Sequence, residues 1–213
     1  MEAVKNGTYL MLTRRGYRKV VFEEDESRPR MIGCEGTGQR PAAIEDRTGQ
    51  RPAAIEDLSG QKIKESVVVF FLNKNNCGDK VNVNVFKNLI TTLQDVNFTT
   101  SLDKEISHII LVHDIPLTSD VKQNIALSET KQHVGYRFES FTFDELGYDL
   151  FEALFDDPSD PENLVFCDKI PFKIPIISCK DPLAKYVNAM PGDFLRGRFD
   201  WKGDISYRRC LNI

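Results

Sequence analysis

Paired cysteines are missing from this 213-residue sequence. Its five, Cys34, Cys77, Cys167, Cys179 and Cys210, show no CxxC spacing. That argues against structural zinc, whose ligands come in close pairs, and no metal or cofactor is expected. An odd, scattered set fits reduced thiols in an intracellular compartment. Long apolar runs are also missing. No run approaches the ~18 residues of a membrane-spanning helix, so no membrane partner is expected. Met1–Tyr9 lacks the apolar core of a secretory leader. Excess positive charge is missing too. A net charge of −4 argues against a protein that coats nucleic acid generally, although a local basic face remains open. What is present in ordinary amount is hydrophobic residue, 41%, enough for a core in one domain or two small ones.

Near the start, Arg15-Gly16-Tyr17 separates a short helical stretch from a strand-like Lys19–Glu24. Arg14, Arg15 and Arg18 read as a solvated helix end, since helix C-termini attract basic residues. Thr37–Asp46 and Thr48–Asp57 are the same ten residues, TGQRPAAIED, at a period of eleven. Two copies are too few for a solenoid, and their glycine, proline and charge suggest a loop insert spanning about 34–61. Gly33–Gly38 is glycine-rich, but Gln39-Arg40 does not supply the Gly-Lys-Ser/Thr ending of a phosphate loop.

Residues 62–145 alternate between two periods. Ser66–Leu72 and Ile106–Val112 are β-branched and apolar runs, expected as buried strands, and Tyr136–Phe143 alternates as a third. Between them, Val85, Phe86, Leu89, Ile90 and Leu93 recur at helical spacing, predicting a helix over Asn84–Val96. Thr118–Leu127 is a shorter helix capped by Thr118 or Ser119. This βαβαβ order predicts an α/β layer. A two-metal nuclease would place an Asp on one strand and Glu-x-Lys on the next, and Ser66–Leu72 carries neither. His108 and His113 are an odd number apart, so a strand points them to opposite faces rather than to one metal.

From Asp144 to Asp168 the chain is acidic and has no lysine or arginine. It lacks the central glycine and terminal glutamate of a calcium loop, and reads as a solvated linker and helix face that could meet a basic partner surface. Lys169–Ile213 reverses the sign. Within it, Asp181 can cap a helix with Pro182 at its first position. Asn188 can stop that helix in the left-handed region, and Pro191-Gly192 makes a turn. Strand-like Asp193–Phe199 and Asp204–Leu211 flank a loop of hairpin length.

These residues resemble the fifth-largest subunit shared by eukaryotic nuclear RNA polymerases, and its smaller counterpart in archaeal RNA polymerase. The C-terminal resemblance rests on Ile174-Pro175-Ile176-Ile177, Asp181-Pro182-Leu183-Ala184-Lys185-Tyr186, Gly192, Arg198, Gly203 and Ser206-Tyr207-Arg208. Arg15-Gly16-Tyr17 and Phe138-Glu139-Ser140-Phe141 resemble motifs of the same family's N-terminal domain. Asn188 stands where the family has a glycine, the hairpin is shorter, and the family's Leu-Val-Pro-Lys-His block is not recognisable. The chain therefore resembles a divergent member, of cellular or large-DNA-virus origin.

The resemblance implies an α+β protein with two domains. Residues 1–143 would form a jaw domain, nuclease-like in shape without an active site, and 144–213 a small mixed α/β assembly domain. It implies a non-catalytic subunit of DNA-directed RNA polymerase, in the nucleus or at a viral replication site in the cytoplasm. Its partners would be the largest polymerase subunit, other subunits and downstream duplex DNA. The implied partner interface is Pro175, Asp181, Pro182, Tyr186, Gly192, Arg198, Tyr207 and Arg208, although aromatic residues such as Tyr186 and Tyr207 suit core packing equally well. Two readings from other classes are a nuclease-like enzyme built on Gln61–Phe143 and a stand-alone protein-interaction adaptor.

Overall fold

The computed structural model describes residues 1–17, 19–23, 30–36, 65–94, 106–129, 136–155, 163–166, 174–198 and 205–212. The apolar run after Lys64 forms β3 (Glu65–Leu72), the middle strand of a five-stranded sheet. Its companions are β1 (Lys19–Glu23), β2 (Arg30–Gly36), β4 (Ile106–His113) and β5 (Arg137–Thr142), in the order β1-β2-β3-β4-β5. The first two pairings are antiparallel and the last two parallel. Parallel neighbours need a crossover, which α3 (Val83–Gln94) and α4 (Ser119–Glu129) provide. A short helix, α2 (Lys74–Cys77), precedes them, capped by Asn73.

Side chains of β3 and β4 alternate across this sheet and are buried on both faces. Val68, Phe70, Leu72, Ile109, Leu111 and Phe138 pack against Phe86, Leu89 and Leu93 of α3 and Val121 and Ile125 of α4. Val67, Val69, Phe71, Ile110, Val112 and Phe141 point the other way. They meet Val4, Met11 and Leu12 of α1 (Glu2–Arg14) and residues of the C-terminal half.

That half holds α5 (Phe143–Leu146), α6 (Leu150–Leu154) and α7 (Pro182–Tyr186), together with a second sheet. β6 (Leu164–Phe166), β7 (Ile176–Ser178), β8 (Phe194–Arg198) and β9 (Ile205–Leu211) lie in the order β6-β8-β9-β7. β8 and β9 are antiparallel, as a hairpin requires, and β7 runs parallel to β9. The chain is thus a mixed α+β protein. The first sheet ends at Thr142 and the second begins at Leu164, yet one apolar cluster runs from Val4 to Cys210 through both.

β2 departs from expectation, because the composition of residues 34–36 places them in the loop insert. Gly33, Glu35 and Gly36 are weak strand formers, and the strand exists because it has a ladder on each side, to β1 and to β3. The duplicated segment itself lies outside the described residues, as do the phosphate-loop tail, Arg18, Gly203 and Asp156–Asp160. The three-residue strands β6 and β7 are additions to the expected elements, being too short to show a period.

Candidate functional site: a buried charged seam

Two short helix ends meet where α1 and α7 approach. α1 stops at Gly16, whose φ is 89°. Gly16 N–H donates to Thr13 O at 3.0 Å, and Tyr17 N–H donates to Leu12 O at 3.1 Å. This paired closure needs a left-handed residue at its centre, which glycine supplies without a Cβ clash. It explains Arg15-Gly16-Tyr17 physically. α7 begins as the sequence predicts, with the Asp181 carboxylate accepting from Leu183 N–H at 2.9 Å and Pro182 at the first helical position. It ends by the same closure as α1. Asn188 N–H donates to Lys185 O at 3.1 Å and Ala189 N–H to Ala184 O at 2.8 Å, around Asn188 at φ 62°.

Arg15 joins the two ends. It is only 3% exposed, and its Nε and Nη2 donate to the carbonyls of Tyr186 (3.0 Å) and Lys185 (2.7 Å). Those carbonyls lie at the C-terminus of α7, where backbone acceptors lack helical donors and the helix dipole favours a cation. The same Nη2 reaches Glu139 Oε2 at 2.9 Å.

Glu139 sits on β5, pointing to the same face as Phe141, and is the hub of the seam. Its other oxygen accepts from Arg137 Nη2 at 2.6 Å and lies 3.0 Å from His108 Nε2. Register explains the grouping: His108 on β4 is level with Arg137, and Ile110 with Glu139. Arg137 continues to the Asn188 side-chain oxygen and to Met190 Sδ at 3.5 Å. Tyr17 Oη approaches His108 Nδ1 at 3.4 Å, which suits a neutral imidazole bearing its proton on Nε2.

A second row runs beside the first. Arg14 Nη2 donates to Asp149 Oδ2 at 2.7 Å. Asp149 caps α6 through Phe151 N–H at 3.0 Å and accepts from the Tyr186 hydroxyl at 3.3 Å. Lys185 Nζ donates to Glu145 Oε1 at 2.6 Å over the ring of Phe141. Glu145 closes a capping box with Thr142 at the start of α5.

The electrostatics follow from these partners. Burial alone would raise the pKa of Glu139. Arg15, then His108 and Arg137, override it and hold the carboxyl well below its ordinary 4.5. For His108 burial wins over the pull of Glu139 and holds the ring below its ordinary 6.5. Burial, then the Asp149 carboxylate, pushes the Tyr186 hydroxyl upward.

The Glu139 and His108 shifts make acid destabilising. Glu139 contributes stability above its ordinary pKa that is lost as pH falls through the folded value. His108 takes up a proton in the unfolded chain that it refuses when folded, so stability falls as pH drops from 6.5 toward the folded value. We expect the melting temperature to decline from about pH 7 to pH 5 before the carboxylates titrate. A His108→Gln variant should show a shallower decline in thermal scans across that range. Equal slopes would place the proton uptake elsewhere.

Several expectations change here. Arg14 and Arg15 are not a solvated helix end, because both carry buried partners. The acidic stretch is not wholly solvated, since Glu145 and Asp149 face this chain's own Lys185 and Arg14. A legible signal existed for Arg15: it lies four residues after Met11 and three after Leu12, on the buried face of α1.

Of the residues implied as a partner interface, Tyr186 is inside the chain, 1% exposed, so it serves the seam rather than an outer surface. Asp181 is half-buried and occupied as a cap. Pro175, Pro182 and Gly192 are exposed. Pro175 and Gly192 flank the end of β9, through Arg209 N–H to Pro175 O and Gly192 N–H to Cys210 O, each 2.9 Å. Tyr207 and Arg208 are half-buried on β9, the latter donating to Ser206 Oγ at 3.2 Å. Arg198 pairs with Ile205 along the hairpin, and its side chain lies outside the described residues. Among the described residues no group of three or more His, Cys, Asp or Glu is arranged to hold a metal, and no helix is long and apolar enough to cross a membrane.

No protein-family model and no curated protein matches the chain.

Proposed function

We propose that the chain is a non-catalytic scaffold subunit of a DNA-directed RNA polymerase, with its C-terminal half seated on the largest subunit and its N-terminal half beside downstream DNA. The observation that carries the reading is the closure of Glu139. Its two oxygens face Arg15, Arg137 and His108, so a carboxylate–histidine pair that could do acid–base work is spent on holding two modules at one angle. Three of the motifs behind the resemblance, Arg15-Gly16-Tyr17, Phe138–Phe141 and Asp181–Tyr186, contribute residues to that seam. A rigid angle suits a part that links a large subunit to a DNA path.

The C-terminal sheet also has a surface fit for docking. Among the described residues β7 is an edge strand, Ile176 on it is 55% exposed, and Pro175 beside it is exposed. An open edge with an apolar residue is a template for another chain. Any contacts with DNA would be to phosphates and would weaken with salt.

Affinity purification of the tagged chain from its source cells, with mass spectrometry of what accompanies it, tests the proposal. The two largest polymerase subunits should co-purify, and Ile176→Glu, at an exposed position of β7, should reduce their recovery. A chain that never accompanies them overturns the reading.

A further inference from the structure

The C-terminal sheet turns one face to the core and the other away from it. Leu195 of β8 and Cys210 of β9 belong to the core and are fully buried. Alternation therefore directs Phe194 and Arg196 of β8, and Tyr207 and Arg209 of β9, to the outer face. Register sets them level in pairs, Arg196 with Tyr207 and Phe194 with Arg209. Each pair puts a guanidinium beside an aromatic ring on the adjacent strand. Exposed Ile176 of β7, level with Arg209, extends the second row to the end of the sheet. Arg209 is exposed, and its guanidinium lies 5.6 Å from the centre of the Phe194 ring, within cation–π range. Phe194, Arg196 and Tyr207 are half-buried. Among the described residues no carboxylate forms an ion pair with Arg196 or Arg209. Lys169–Ile213 as a whole carries nine lysines and arginines against four aspartates, in a chain of net charge −4.

We propose that this outer face binds a single nucleic-acid strand, with bases stacked on Tyr207 and on the Phe194–Arg209 pair and phosphates held by Arg196 and Arg209. Two arginines with no acid between them call for an anionic partner, and two rings call for flat ones. A single strand offers both at every nucleotide, a phosphate and a base whose face is open. A duplex offers the phosphates alone, because its base faces are already stacked on one another. The contacts are to base faces and phosphates, so they carry no sequence preference and no preference between ribose and deoxyribose. The local basic surplus brings the strand to this face although the chain as a whole is acidic. This surface is independent of the polymerase reading.

The test follows the fluorescence anisotropy of a labelled oligothymidine of about 12 nucleotides titrated with the full chain. Binding should saturate and weaken about sevenfold between 50 and 200 mM salt, as two phosphate contacts to a single strand require. The same oligonucleotide annealed to oligoadenine should bind several-fold more weakly. Tyr207→Ala should weaken binding of the single strand about tenfold, and Tyr207→Phe should keep it, since the ring is what stacks. Arg209→Gln should halve the dependence on salt. Absence of binding at low salt overturns the proposal, as does a duplex that binds as tightly as the single strand or a folded Tyr207→Ala chain of unchanged affinity. If Arg196→Ala loses the polymerase subunits in purification while its affinity for the oligonucleotide is unchanged, the face belongs to a protein partner instead. Arg209→Gln, at an exposed position, decides the matter even if Tyr207→Ala fails to fold, because an unchanged salt dependence there removes the phosphate contact.

Discussion

Replacing Glu139 by alanine is expected to destabilise the chain by about 3–5 kcal/mol, the cost of leaving buried charge without its partner. The substitution leaves Arg15 and Arg137 facing each other beside a neutral His108, with no anion between them. Arg15 keeps the carbonyls of Lys185 and Tyr186, and Arg137 keeps Asn188, so the arginines stay aimed into the seam. Glu139→Gln should cost less than alanine, because an amide oxygen still accepts one hydrogen bond, but it should not restore the charge. Urea unfolding of the three proteins checks this. A loss below about 1 kcal/mol for alanine would mean that the seam is as well solvated as a surface ion pair. The ion cluster need not be the most stable filling of the space. Well-packed apolar residues often equal or exceed a buried ion group in stability, so the seam is better read as fixing one arrangement of the modules.

Gly7→Ala should be the other large loss, about 2–3 kcal/mol in the same unfolding measurement. Helix propensity alone predicts the opposite sign, since alanine is favoured over glycine by about 1 kcal/mol in a helix interior. Packing decides it. Gly7 lies where α1 crosses the end of α5, and a β-carbon there would overlap the carbonyl oxygen of Leu146 and lie 3.0 Å from its carbon. Both obstacles are backbone, so no side chain can swing aside. α1 would have to lift, and Arg14 and Arg15 at its far end would be drawn off Asp149 and Glu139. Asn6→Ala, at the exposed neighbouring position, is the control and should be neutral or slightly stabilising. A Gly7→Ala protein as stable as that control would show that α1 does not need this close approach.

The three strands and two longer helices of 65–142 were legible because each is long enough to show its period, whereas the four-residue α2 was not. Val85, Phe86, Leu89, Ile90 and Leu93 announce a helix, and the continuous runs of β3 and β4 announce strands covered on both faces. The start of α7 was legible from Asp181-Pro182, and its end from Asn188, because caps are local chemistry. β2 was not legible, since its existence depends on partners rather than on its own glycine-rich composition.

The candidate site shows the same division. Sequence by itself determined the βαβαβ layer, the capped start of α7 at Asp181-Pro182 and its end at Asn188, a residue that tolerates the left-handed backbone. It gave no sign that Arg15 and Glu139 would meet, 124 residues apart, or Arg14 and Asp149, 135 apart. Only the tertiary structure decided that these charges are buried partners and that Tyr186 belongs to the interior. The physical reason is that a period or a cap is written within a few neighbouring residues. The worth of a charge depends on the surroundings that the whole fold brings to it.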